Sequence, residues 1–171
     1  MHRSPSEENL LHTATTSPND YQAKLRIPIA VLGIRISNNH LAAIEYLPMD
    51  TQTQAPICGL SAKVCEQIKA YLRDPTFQFS LPLKINGTYF QSKVWEAISA
   101  IPVSQTLYYS DIARKLFSGP RAVGQACRVN RIPLVIPCHR VIAKDNLGGF
   151  NGDHRGASID IKRWLLRHEN A

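Results

Sequence analysis

The chain has 171 residues, of which 44% are hydrophobic and 19% charged, a composition typical of a globular protein with one domain or two small ones. No apolar stretch is long enough to span a membrane, and residues 1–20 lack the hydrophobic run of a signal peptide. We therefore expect a cytoplasmic protein without a membrane partner, preceded by a disordered polar tail over residues 1–20. The cysteines show neither CxxC pairs nor zinc-site spacing, so we expect reduced thiols and no metal. They are Cys58, Cys65, Cys127 and Cys138.

The net charge of +7 is concentrated in the second half of the chain. Residues 88–171 contain 12 Lys and Arg against 6 Asp and Glu, whereas residues 1–87 carry a net charge of only +1. A basic half beside a nearly neutral half favours a polyanionic partner, most simply nucleic acid. A basic surface that serves only solubility fits the same pattern about as well.

The first half of the chain reads as a small α/β unit. Residues 27–48 alternate apolar and polar side chains on either side of "SNNH", which predicts a β-hairpin with an Asn-rich turn. "SAKVCEQIKAYL" (61–72) has apolar residues on one helical face. "FQFSLPLKI" (77–85) is a further strand candidate, weakened by Pro82. We predict an N-terminal α/β domain over residues 21–86, with a small antiparallel sheet and helices.

The second half is mainly helical. Apolar residues at helical spacing in residues 94–101 predict a helix that Pro102 ends. Two short helices follow, in "YYSDIARKLF" (108–117) and "RAVGQACRVN" (121–130), and the turn "SGP" joins them. This pair is a helix-turn-helix candidate, because its second helix is basic and opens with Arg121. The final segment "ASIDIKRWLLRHENA" predicts a helix capped by Ser158.

The second helix of this pair contains the small residues Ala122, Gly124 and Ala126. Small residues permit close helix packing, and they also make a flat surface that can lie against a DNA backbone. The sequence leaves both interpretations open. Cys127 falls on the apolar face of this helix, which favours a place in the core.

Cys138 follows the apolar run 132–136, which we expect to be buried, and directly precedes a His-Arg pair. A thiol reacts as the thiolate, so a nucleophilic cysteine needs a base, and a carboxylate can orient that base. Cys138, His139 and Glu169 supply these three types, and Glu169 shares part of the apolar face of the last helix. From spacing alone, a Cys-His dipeptide is more often structural than catalytic.

"IPCHRV" (136–141) resembles the active-site signature of the O6-alkylguanine-DNA alkyltransferases, which repair DNA by direct reversal. "GTYFQSKVWEAISAIP", "YYSDIA", "RAVGQACRVN" and "KRWLLRHE" are similar to the family's DNA-binding module and closing helix. The resemblance covers residues 27–169. It implies a mainly α C-terminal domain over residues 87–171 that carries a helix-turn-helix and the active site.

The resemblance implies irreversible transfer of the alkyl group from O6-alkylguanine, and from O4-alkylthymine, in double-stranded DNA to Cys138. Each molecule would act once, without a cofactor, after flipping the damaged base out of the duplex. We expect a monomer in the absence of DNA. The site of action would be the nucleoid of a bacterium or the nucleus of a eukaryote.

The resemblance also implies individual residue roles. His139 would act as a water-mediated base that Glu169 polarises, and Asn130 would order the turn that carries Cys138. Tyr109 would contact the target phosphate and protonate the departing guanine. Arg121 would fill the space that the flipped base leaves. DNA contacts are expected from Tyr109, Arg121, Ala122, Gly124, Gln125 and Arg128, and pocket contacts from Pro137, Phe150 and Asn151.

The chain departs from the family pattern at five places, one being the turn "FSGP" (117–120), which is about two residues shorter than in some members. Arg131 follows Asn130 where the family has proline, Ser104 replaces a usual glycine, Phe150 replaces an expected tyrosine, and residues 153–161 are extra. Three other functions remain as alternatives. They are a non-catalytic alkyltransferase-like protein that binds lesions, a thiol hydrolase or cysteine protease using Cys138 and His139, and a redox or metal sensor using Cys127 and Cys138.

Overall fold

A three-stranded antiparallel sheet begins the part of the chain, residues 20–171, that the computed structural model describes. Its strands β1 (Ala23–Ile27), β2 (Ala30–Ser37) and β3 (His40–Leu47) lie in the order β1-β2-β3. Asn38 and Asn39 join β2 to β3, and both have positive φ, 49° and 58°, as a two-residue hairpin turn requires. The predicted hairpin is therefore confirmed. The predicted disordered tail lies, except for Asp20, outside the described residues.

The sheet differs from the prediction at both of its edges. Strand β1 was not predicted, and the strand expected over residues 77–85 is wrong, because that segment forms a single isolated bridge between Leu83 and Leu41. The Leu41 amide donates to the Pro82 carbonyl at 2.8 Å, and the Lys84 amide donates to the Leu41 carbonyl at 2.8 Å. Pro82 has no N–H to extend this ladder.

Five helices follow the sheet in the described residues. They are α1 (Gly59–Arg73), α2 (Tyr89–Ser99), α3 (Tyr109–Lys115), α4 (Pro120–Arg128) and α5 (Ala157–His168). Within residues 20–171, no helix combines the length and the apolar character needed to cross a membrane. The predicted Ser158 cap is wrong: α5 begins after Gly156, and the Ser158 hydroxyl donates instead to the Asp153 carboxylate at 3.0 Å.

Two short strands bring distant parts of the second half together. Strand β4 (Leu107–Tyr108) leads directly into α3, and strand β5 (Val141–Ile142) follows the Cys138 segment. They pair in parallel, with Leu107 opposite Val141. This pairing places the start of α3 beside the segment that carries Cys138.

Buried side chains from both halves of the described chain form one continuous hydrophobic core. Strand β2 contributes Leu32 and Ile34, α1 contributes Ile68, and α5 contributes Leu165, all without solvent exposure. Each such side chain stabilises the fold by about 1.5–3 kcal/mol relative to leaving it exposed. The division into domains at residues 86 and 87 stays a prediction.

The sheet also contacts the second half through its backbone. The Ile44 amide of β3 donates to the carbonyl of Arg131 at 2.9 Å. Strand β3 therefore lies against the residues that lead to Cys138.

Candidate active site

Cys138 begins a 3₁₀ turn, Cys138–Arg140, and the preceding apolar run is buried as expected. The Asn130 side chain forms hydrogen bonds with the backbone at both ends of that run. Its amide Nδ2 donates to the Ile136 carbonyl at 2.9 Å, and its Oδ1 accepts from the Ile132 amide at 3.0 Å. One polar side chain thus fixes the chain direction just before the cysteine.

Glu169 is the centre of a buried hydrogen-bond network. Its Oε1 accepts from His139 Nε2 at 2.9 Å, from the Tyr71 hydroxyl at 2.7 Å and from Arg140 Nη2 at 2.9 Å. Its Oε2 accepts from Arg140 Nε at 2.9 Å. The side chains of Glu169 and His139 are fully buried. Burial alone would raise the pKa of Glu169, but the hydrogen bonds from His139 and Arg140 outweigh it and lower that pKa to about 2.

The ionised Glu169 decides which nitrogen of His139 carries the proton. Burial lowers the pKa of His139 below its ordinary value, despite the opposing hydrogen bond to Glu169, so the ring is neutral near pH 7. A carboxylate only accepts hydrogen bonds, so Nε2 must carry the hydrogen. Nδ1 then presents a lone pair, and within the described residues this buried atom has no hydrogen-bond partner. His139 is therefore arranged as a base.

The Cys138 thiol is 5% exposed. Burial raises its pKa, while a hydrogen bond from Asn130 and the positive charge of Lys162 lower it. Burial outweighs these opposing contributions, so the resting residue is a thiol rather than a thiolate. Its reaction requires a base that removes the proton as the sulfur attacks.

Lys162 is a site residue that the sequence interpretation missed. Its side chain is fully buried, and its ammonium donates to the Val141 carbonyl at 2.7 Å and to the Gly149 carbonyl at 3.0 Å. Burial lowers the pKa of Lys162 to about 8. The Tyr109 hydroxyl donates to the same Gly149 carbonyl at 3.3 Å. Lys162 and Tyr109 together hold the loop over residues 143–156.

A cavity of about 550 Å³ lies between α4 and this loop, and Cys138 is part of its lining. Most of the residues expected to contact DNA or the base line it, namely Tyr109, Arg121, Gly124, Gln125, Arg128, Phe150 and Asn151. Two do not, because Ala122 is exposed on α4 and Pro137 is buried before the 3₁₀ turn. Cys127, expected in the core, is half-buried and also lines the cavity. His154, from the extra residues 153–161, lines it as well.

Two of the departures from the family pattern, Ser104 and Phe150, make specific contacts in the structure. Ser104 has a φ of 67°, the left-handed region that favours glycine, and its hydroxyl donates to the Glu169 carbonyl. Phe150 is buried, and its ring contacts that of Tyr46 with centroids 5.7 Å apart. At Gly148, a Cβ would lie 2.8 Å from the Tyr109 ring, so this position requires glycine.

No group of three or more His, Cys, Asp or Glu side chains in residues 20–171 is placed to hold a metal ion. The site therefore consists of a buried thiol, a neutral histidine with a free lone pair, an ionised carboxylate and an adjoining cavity. These groups can activate a sulfur nucleophile toward a molecule that enters the cavity.

Comparison with known proteins places this site in a family. Residues 89–171 match the family model for the DNA-binding domain of 6-O-methylguanine DNA methyltransferase. The probable methylated-DNA–protein-cysteine methyltransferase of Acanthamoeba polyphaga mimivirus is 42% identical over 147 residues, which cover 80% of this chain and 95% of that protein. The constitutive enzyme of that name from Bacillus subtilis is 41% identical over 111 residues, which cover 63% of this chain and 65% of the relative.

A solved structure agrees with these sequence relatives. The crystal structure of Mycobacterium tuberculosis OGT in complex with DNA superposes with a TM-score of 0.72 and 32% identity, covering 86% of this chain and 91% of that one. Sequence similarity and fold thus extend well beyond the Pro-Cys-His-Arg segment. The chain belongs to the methylated-DNA–protein-cysteine methyltransferase family.

Proposed function

We propose that the chain repairs alkylated DNA by transferring the alkyl group of O6-alkylguanine, and of O4-alkylthymine, to Cys138. The observation that carries the proposal is the position of this thiol. Cys138 lines a cavity bordered by the basic helix α4, and the next residue, His139, has a buried Nδ1 with no hydrogen-bond partner among the described residues. The family membership of the chain supports the same reaction.

The proposed reaction is a displacement at the alkyl carbon. The Cys138 sulfur attacks that carbon, the bond from carbon to O6 breaks, and its electron pair passes to the guanine. The thiol proton passes through a water molecule to His139 Nδ1, and Glu169 stabilises the imidazolium that forms. Tyr109 protonates the departing guanine and recovers a proton through solvent.

The resting protonation state of Tyr109 suits this role. Burial, followed by the charges of Cys127 and Cys138, raises the pKa of its hydroxyl. The hydroxyl therefore keeps its proton until a strong base, the guanine anion, forms in the cavity. The product at Cys138 is a thioether, which has no hydrolytic route back to the thiol, so each molecule acts once and needs no cofactor.

DNA binding is assigned to α3 and α4 as a helix-turn-helix. The two helices pack against each other, and the residues of α4 that face solvent include Arg121, Gln125 and Arg128. O6 of a stacked guanine is not accessible, so the base must be flipped out at a cost of a few kcal/mol. Arg121 would offset part of this cost by filling the vacated space, and the other basic residues would contact phosphates without reading sequence. We further propose that the free protein is a monomer in the cytoplasm or nucleus.

Intact-mass spectrometry tests the reaction directly. The full chain is mixed with a duplex that contains one O6-methylguanine, and a second sample receives a duplex with one O4-methylthymine. We expect the mass of one methyl group to be added, saturating at one per protein and mapping by peptide analysis to Cys138. Cys138→Ser should gain no methyl group, whereas Cys127→Ser should gain one.

The other outcomes identify the alternatives. Tight binding of the lesion without a mass change would indicate a non-catalytic alkyltransferase-like protein. Turnover of acyl substrates without methyl transfer would indicate a thiol hydrolase. Methyl transfer that maps to Cys127 would contradict the assignment of the nucleophile.

A further inference from the structure

Two buried polar atoms near Cys138 lack a hydrogen-bond partner. In residues 20–171, three buried side-chain atoms have no hydrogen-bond partner: the hydroxyls of Tyr46 and Ser110 and Nδ1 of His139. The two near Cys138 are the Tyr46 hydroxyl and His139 Nδ1. Buried polar groups that no protein atom satisfies are commonly bound by an ordered water molecule. The proposed function already requires a water molecule at His139 Nδ1, so the position of the Tyr46 hydroxyl relative to that site is important.

Tyr46 comes from the N-terminal sheet and reaches the active site. It lies on β3 two residues after Ile44, so both side chains point to the same face of the sheet. Ile44 is buried, and its amide is the one bonded to Arg131. The Tyr46 ring packs at a tilt of 58° against Phe150, which lines the cavity. Its hydroxyl is buried and lies within electrostatic range of Cys138 and Glu169.

The hydroxyl of Tyr46 remains a hydrogen-bond donor at this position. Burial raises its pKa, and two nearby groups raise it further, namely Cys138 once its thiol has ionised and the carboxylate of Glu169. Glu169 already accepts four hydrogen bonds, two from Arg140 and one each from Tyr71 and His139. The Tyr46 hydroxyl makes no hydrogen bond to Glu169 or to any other described residue.

We propose that the Tyr46 hydroxyl donates a hydrogen bond to the water molecule that links Cys138 to His139 Nδ1. This proposal rests on the proposed function. The water takes the thiol proton and gives a proton to Nδ1, while Tyr46 keeps its own proton throughout. After the transfer, the water accepts from Nδ1 and from Tyr46 and donates to the sulfur. Tyr46 is thus a positioning residue, which holds the water and stabilises the thiolate through it.

The N-terminal sheet thereby contributes a functional group to the site, in addition to Tyr71, which α1 contributes from the same half of the chain. Other titratable groups also surround Cys138 or belong to the Glu169 network, and they stay unchanged when only Tyr46 is altered. They are Tyr109 on α3, Cys127 on α4, His139 and Arg140 in the turn, Lys162 on α5 and Glu169 at its end.

The test is the pH dependence of Cys138 alkylation by iodoacetamide in wild type and Tyr46→Phe. Peptide mass spectrometry follows it from pH 7 to a pH above the raised pKa of Cys138, where each rate reaches its plateau. Loss of the donor should raise the pKa of Cys138 by about 1, because a hydrogen bond to a charged group is worth about a factor of ten or more. The rate at pH 7 should fall about tenfold, with the same plateau at high pH. Cys58, which is exposed, provides an internal reference whose rate should not change.

Tyr89→Phe is the matched control, because it removes a hydroxyl from a tyrosine that is 80% exposed. An unchanged profile in Tyr46→Phe, or an equal loss of rate at every pH, would overturn the proposal. Thermal unfolding gives a second measurement. If the Tyr46 hydroxyl had no partner, its removal would raise the unfolding midpoint, and such a rise would also overturn the proposal.

The iodoacetamide profile does not depend on DNA repair. Failure of the wild-type protein to gain a methyl group from duplex O6-methylguanine would contradict the proposed function without altering the iodoacetamide result. The pH profiles of Cys138 alkylation in wild type and in Tyr46→Phe would still show whether Tyr46 lowers the pKa of Cys138.

Discussion

Replacing Glu169 by Gln should destabilise the protein by about 3 kcal/mol at pH 7. The substitution keeps the size of the side chain and removes its charge. It leaves the Arg140 guanidinium, whose side chain is 13% exposed, without a carboxylate. It also puts an amide NH₂ group where only acceptors satisfy the network.

The magnitude follows from the pKa of Glu169, which falls from 4.5 to about 2 in the folded protein. Each pKa unit corresponds to about 1.4 kcal/mol, so ionisation of Glu169 favours folding by about 3 kcal/mol. Loss of one partner from a buried ion pair typically costs a similar amount, about 3–5 kcal/mol. Because the folded pKa lies below the unfolded one, the contribution is complete above about pH 5 and is lost as the pH falls toward 2.

The assay is urea unfolding of wild type and Glu169→Gln at pH 7, 5 and 3. The difference in the free energy of unfolding should fall from about 3 kcal/mol at pH 7 to about 1.5 kcal/mol at pH 3. Glu96→Gln is the matched control, since the exposed Glu96–Lys93 pair is screened by solvent and its loss should change stability far less. A difference that is below about 1 kcal/mol at pH 7, or that does not change with pH, would refute this account of Glu169.

Three further substitutions test other parts of the site. Arg121→Ala should slow repair of O6-methylguanine in duplex DNA by at least about tenfold, because a base in a duplex must be flipped out. The rate with free O6-benzylguanine should stay within about twofold of wild type, because a free base needs no flipping. Equal losses of rate on both substrates would contradict the role of Arg121 in flipping. Tyr109→Phe should slow alkyl transfer by at least about tenfold while leaving DNA affinity largely intact. An unaltered single-turnover rate would contradict proton donation. Lys162→Met should raise the pKa of Cys138, measured by its alkylation profile, and should lower the free energy of unfolding by about 1–3 kcal/mol, because the Val141 and Gly149 carbonyls lose their donor. An unchanged profile would restrict Lys162 to holding the loop.

Local patterns predicted most of the secondary structure. The hairpin at Asn38 and Asn39 and the helices have strong signals, because alternation, helical periodicity and turn residues all act over a few positions. Strand β1 has only five residues, and its pairing with β2 is what defines it. The strand expected near Pro82 failed for the same reason, since a strand depends on a partner that the local sequence does not reveal.

The sequence predicted the reactive residue types better than their environment. Cys138, His139 and Glu169 stand out by chemistry, but Tyr46 and Lys162 do not, because their contacts join distant elements. A lysine on an amphipathic helix usually faces solvent. Lys162 nevertheless lies three and four positions before the apolar pair at 165 and 166, so its place on the buried face of α5 could have been found from helical spacing.

The hydrogen bond from Ile44 to Arg131 has a consequence for how the protein opens. It makes the chain leading to Cys138 an extension of the sheet edge, so the reactive turn and β3 should belong to one cooperative unit. The Ile44 amide should then exchange with deuterium only when that unit unfolds. Substitutions that destabilise the hairpin, far from the cavity, should therefore make the Cys138 turn unfold more often, although they change no group that takes part in the reaction.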